Sequence, residues 1–113
     1  MLTVNETWNE QVCVVTATGE VDAHTAHALR DVLVRVIAAG GIHLVVDLSA
    51  VTFIDSSGLG VLVGRLKDVR ARGGNLHLVV TNERVLRVLA VTGLDMAFTV
   101  YATVDAALPT RAE

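Results

Sequence analysis

Asp55-Ser56-Ser57-Gly58 gathers a carboxylate and two hydroxyls into three consecutive positions, directly before an apolar pattern of helical period. Asp55 or Ser56 can accept hydrogen bonds from the free amides of a first helical turn. Three polar residues followed by glycine exceed what one cap needs. A serine held at the positive end of a helix dipole is also a site that tolerates a phosphate. Other serine chemistry fits poorly. The hydrolase elbow G-x-S-x-G would need glycines where Asp55 and Leu59 stand, and the four histidines lie on other elements. Gly58, Gly60 and Gly64 spell G-x-G-x-x-x-G, one residue longer than the dinucleotide fingerprint, and no G-x-x-x-x-G-K-[ST] occurs.

The remaining polar groups read more blandly. His24 and His27 stand near Asp22 at the start of a helix, but with no further ligand in reach they predict no metal site. His43 and His77 occupy the same phase of two similar strands and are expected on one half-polar face. Gly60 and Gly64 lie inside a helical pattern, where each costs about 1 kcal/mol relative to Ala. Their spacing implies a flat strip for close approach, either by a partner or by the protein's own sheet. Arg65, Lys67, Asp68, Arg70 and Arg72 mark the solvated side of the same helix. Cys13 stands alone in a valine-rich strand and reads as core.

Alternating βα units must position these groups. Residues 2–8 and 12–20 are Val- and Thr-rich extended runs separated by Asn9-Glu10-Gln11, which suits an antiparallel hairpin. Ala26, Leu29, Leu33 and Val36 or Ile37 then share one face of a helix of about four turns that ends at Gly40-Gly41. A strand over 42–48 leads through a loop to Asp55 and a helix carrying Leu59, Leu62, Val63, Leu66 and Val69. A strand over 76–80 follows. Asn82 caps a third helix with Val85, Leu86 and Leu89, closed by Gly93. A last strand over 97–101 and a short helix over 103–108, cut by Pro109, complete the series. Strands joined by helices of this length run parallel. On the strands, Leu44, Val46 and Leu48 oppose His43, Val45 and Asp47, so one face is apolar and the other half polar. The expected class is α/β: a mixed, mostly parallel sheet with an antiparallel N-terminal edge strand and helices chiefly on one face.

Composition limits the function. The chain has 113 residues, enough for one domain over 1–113, with 52% apolar and 19% charged residues. Its net charge of −3 argues against a nucleic-acid partner. Mean hydropathy is +0.55, yet Gly, Arg, Asp or His breaks every apolar run well short of a membrane span. The N-terminus shows no export signal, so a cytoplasmic protein is expected.

Gly19-Glu20-Val21-Asp22 before a helix, with Asp47-Leu48-Ser49 leading to Ile54-Asp55-Ser56-Ser57-Gly58-Leu59-Gly60, resembles the STAS-domain anti-sigma factor antagonists of bacteria. The likeness runs from the first hairpin to Tyr101-Ala102-Thr103, and the D-S-S-G-L segment is its specific part. The resemblance implies that Ser57, the serine before the glycine, is the phosphoacceptor. It also implies a partner-binding surface from Asp22, His24 and Thr25 together with Asp55, Ser56, Gly58, Leu59, Gly60, Val61 and Gly64. The implied partner is an anti-sigma factor that is also an ATP-dependent serine kinase. Binding would free a sigma factor, phosphorylation would end the complex, and a metal-dependent serine phosphatase would restore it. No cofactor is implied for this chain, and no catalytic residue. Within the same fold the alternative is an accessory STAS subunit of a transporter or larger signalling assembly; a small hydrolase using Ser57 is the rival from another class. The terminal helix is shorter here than is usual in the family.

Overall fold

The computed structural model describes residues 1–109. In chain order the elements are β1 (Leu2–Asn9), β2 (Val12–Val21), α1 (Ala26–Ala38), β3 (His43–Ile54), α2 (Ser56–Ala71), β4 (Asn75–Val79), α3 (Glu83–Thr92), a 3-10 turn (Leu94–Met96), β5 (Val100–Tyr101) and α4 (Val104–Ala107). The strands form one sheet in sequence order; β1 and β2 are antiparallel and every later pair is parallel. The expected fold class is the one observed.

The two sheet faces divide as the alternation predicts. Leu44, Val46 and Leu48 of β3 and Leu76 and Leu78 of β4 join Leu29 and Leu33 of α1, Leu62 and Leu66 of α2 and Leu89 of α3 in the main core. On the opposite face Val14, Val45 and Val79 pack against Ala107 of α4, with Tyr101 and Leu108 beside them. Thr103 starts α4 by accepting the Ala106 amide at 3.1 Å through its Oγ1. Cys13 is buried in the main core. Gly93 closes α3 with φ at +75°, a left-handed conformation that glycine adopts without strain.

Three expectations need correction. The run over 49–54 is not a loop: β3 continues to Ile54. Two extra residues enter β3 against β2, between the pairs Thr16↔Asp47 and Thr18↔Ala50 and again between Gly19↔Val51 and Glu20↔Phe53. Each bulge resets the alternation, so the buried series runs Leu44, Val46, Leu48 and then Val51, Ile54. The last strand is also shorter, because Phe98 drops into the core and leaves only Val100 and Tyr101 to pair. Leu86 is on the outer side of α3, 38% exposed, while Val85 and Leu89 are buried. Thr110, Arg111, Ala112 and Glu113, the end of the expected 1–113 unit, lie outside the described residues.

Candidate functional site

The start of α2 is built by Asp55. Its backbone is extended, and its Oδ1 accepts from the amides of Ser57 at 2.9 Å and Gly58 at 3.4 Å. Asp55 is therefore the cap, and Ser56, the first helical residue, is exposed. Of the two capping candidates, Asp55 and Ser56, it is the carboxylate that reaches the first-turn amides. Ser57 is half-buried, so access alone does not favour it over Ser56. Gly58 points inward: a Cβ there would stand 2.6 Å from Val21 Cγ1 and 2.8 Å from Ile54 Cγ1. Its missing side chain lets the helix settle on the sheet; it does not open a path to Ser57. Leu59 is likewise only 7% exposed and belongs to the core, so it offers no surface to a partner.

The Asp22 turn lies against this helix start, because the Asp55 amide donates to the Val21 carbonyl at 3.1 Å. Asp22 Oδ1 accepts from the amides of His24 at 2.9 Å and Thr25 at 3.0 Å. The His24 amide in particular holds the Asp22 carboxyl below the usual aspartate range, with the Thr25 bonds adding to it. Thr25 donates its hydroxyl to the Glu20 carbonyl at 2.8 Å and accepts the Asp22 amide at 2.9 Å. Asp22 and Thr25 thus tie the entry to α1 together, and His24 is exposed beside them.

Along α2, Ser57, Gly60, Val61 and Gly64 follow the i, i+3, i+4, i+7 spacing of one helix face. A Cβ at Gly60 or Gly64 would meet nothing within 4 Å. The two glycines therefore do not serve packing against the sheet; they leave a flat open strip that begins at Ser57. Farther along, Asp68 pairs with Arg65 at 3.8 Å and Arg72 at 3.4 Å, and Arg70 donates to the Ala97 carbonyl at 3.1 Å. Much of the basic run is thus engaged within the fold.

Sequence reasoning missed Phe53. The second bulge turns it outward, 46% exposed, two residues before Asp55. It lines a groove of about 600 Å³ with Arg84, Arg87 and Val88 of α3. The signal was present in the three-residue spacing of Leu48, Val51 and Ile54, which an unbulged strand cannot bury on one side.

This arrangement has known counterparts. The STAS domain model matches residues 4–107. The chain belongs to the STAS-domain anti-sigma factor antagonist family. It is similar to the anti-sigma-B factor antagonist of Bacillus subtilis (strain 168), 42% identical over 86 residues that cover 76% of this chain and 78% of that protein. It is also similar to the anti-sigma F factor antagonist of Paenibacillus polymyxa, 35% identical over 80% of this chain and 78% of the relative. Among solved structures, an anti-sigma factor antagonist from Mycobacterium paratuberculosis superposes with a TM-score of 0.88 at 34% identity, covering 95% of this chain and 91% of the other. No described helix is long and apolar enough to cross a membrane.

Proposed function

We propose that this STAS domain is an anti-sigma factor antagonist, a non-catalytic cytoplasmic binding protein. It binds an anti-sigma factor that is also a serine kinase and thereby releases a sigma factor. Phosphorylation of Ser57 switches it off, and a serine phosphatase reverses the switch. The observation that carries the reading is the helix start itself. Ser57 sits one position after the exposed Ser56, on an open glycine strip, with the Asp22 turn hydrogen-bonded alongside. Ser57 aligns with Val61 and Gly64, whereas Ser56 is rotated from it by about 100° around the helix. A partner lying on the strip covers Ser57 first.

A phosphate there adds about −1.5 to −2 charges beside the Asp55 cap, which is hydrogen-bonded to the residue before the Asp22 turn. Repulsion and desolvation then oppose the complex, while the helix dipole tolerates the new charge without unfolding. The switch acts on the surface and leaves the fold intact.

The test is reaction with the cognate anti-sigma factor kinase and ATP, followed by mass spectrometry and a binding assay. Phosphate should map to Ser57. Ser57→Ala should bind constitutively, Ser57→Asp should bind weakly while folded, and Ser56→Ala should still be phosphorylated. Phosphate on Ser56, or full labelling of Ser57→Ala, would overturn the assignment.

A further inference from the structure

The sheet keeps one long free edge. β1 is its first strand, and no described strand lies on the side of β1 away from β2. The bonds to β2 decide which main-chain groups are left over. The Met1 carbonyl accepts the Glu20 amide at 3.3 Å, and β1 then follows β2 in unbroken register as far as Asn9↔Val12, so the odd-numbered residues of β1 bond inward. The amides and carbonyls of Leu2, Val4, Glu6 and Trp8 therefore point outward, spaced along roughly 20 Å of edge.

Proteins commonly blunt such an edge with proline, lysine or a bulge. β1 carries none of these: its register is continuous, and residues 2–9 contain no Pro, Lys or Arg. Its one charge, Glu6, is already paired with Arg35 of α1. The outward four turn their side chains to the helix-covered face, where Leu2 and Val4 pack on the core and Trp8 keeps 44% exposure. Thr3, Asn5 and Thr7 are uncharged and exposed on the other face.

The strand is complementary to itself. An antiparallel neighbour must set outward residues against outward residues, and a two-fold axis at Asn5 does so for all four. Leu2 then faces Trp8 of the second copy and Val4 faces its Glu6, with about eight main-chain hydrogen bonds formed. Thr3 faces Thr7, a favourable cross-strand pair. An axis at Val4 leaves Trp8 without an opposite number, and an axis at Glu6 sets two carboxylates against each other. Arg35 faces β1, and Ala28 and Val32 share its row of α1, so small side chains line the flank of the helix nearest the joint.

We infer that β1 pairs antiparallel with β1 of a second copy of this chain about Asn5, joining two five-stranded sheets into one. Ser57 follows β3, two strands in from this edge, so the pairing leaves the α2 strip open on both copies and does not depend on the reading of Ser57.

Sedimentation velocity of the full chain from about 10 μM to about 1 mM, with amide exchange at both ends of that range, tests the pairing. A concentration-dependent dimer is expected, with exchange slowed at Val4, Glu6 and Trp8. Asn5→Lys sets two ammonium groups opposite each other at an exposed position and should weaken the dimer at least about tenfold. Asn5→Cys meets its own copy at a close, non-hydrogen-bonded pair and should cross-link under mild oxidation, whereas Thr3→Cys, which faces Thr7, should not. Cys13 is buried and does not compete. A monomer at every concentration, a dimer that Asn5→Lys leaves unchanged, or equal cross-linking of the two cysteine variants would overturn the inference. If Asn5→Lys fails to fold, the unaltered chain and the cross-linking pattern still decide it.

Discussion

The amide of Asp55 donates to the carbonyl of Val21 at 3.1 Å. This one bond joins the residue that caps α2 to the residue that precedes the Asp22 turn. Segments thirty-odd positions apart in the chain therefore meet at one sheet end, where parallel β2 and β3 both finish. Ser57 and His24 owe their common rim to that junction.

The cap can be tested by itself. Asp55→Ala removes the acceptor for the Ser57 and Gly58 amides and should destabilise the protein by roughly 0.5–2 kcal/mol in urea denaturation. Asp55→Asn, which keeps an acceptor oxygen, should recover most of the loss.

The glycines of α2 should separate folding from function. Gly58→Val forces a side chain onto Val21 and Ile54 and should cost roughly 1–3 kcal/mol, read as a lower denaturation midpoint. Gly60→Ala meets open space and should stabilise by up to about 1 kcal/mol, since alanine is the better helix former. If the strip is the docking surface, the same Gly60→Ala variant should bind the anti-sigma factor less well despite its greater stability.

Acid should weaken the fold through Asp22 and Glu6. Asp22 is lowered mainly by the His24 amide, and Glu6 mainly by its ion pair with Arg35, with the Trp8 indole N–H adding to it. Both carboxyls are held ionised more firmly folded than unfolded. Their stabilisation is complete above the ordinary values of 3.8 and 4.5 and is lost as pH falls through the folded-state values. Thermal melts across the acid range should show a shallower decline for Asp22→Asn than for the unaltered chain.

Cys13 should be inert in the folded protein. Burial, with the Glu6 charge adding to it, pushes its thiol up to about 11. A disulfide reagent at neutral pH should label it only after denaturant is added. A raised folded pKa also means that stability present below the ordinary value of 9.0 is lost as pH rises toward about 11. Cys13→Ala should lessen that alkaline loss.

The order and type of nearly every element are legible along the chain alone, because those depend on local signals. Apolar residues at helical spacing from Ala26 to Val36, the Asn82 cap with Gly93 at the other end, and the alternation around Leu44 and Leu76 need no distant partner to be legible. The helix start at Asp55 and Ser57 was legible for the same reason. Tertiary structure decided how residues far apart in the chain share space. Only the β2–β3 register shows the two bulges that carry β3 past Leu48 and turn Phe53 outward. Only the packing of α2 on Val21 and Ile54 separates Gly58, which had to lack a side chain, from Gly60 and Gly64, which had room for one. And only the Asp22 turn, closed on its own amides, shows that a carboxylate suited by type to face a partner also has to hold the entry to α1. Side-chain identity specifies what a group can do; the neighbours that the fold delivers decide which of those capacities is already used.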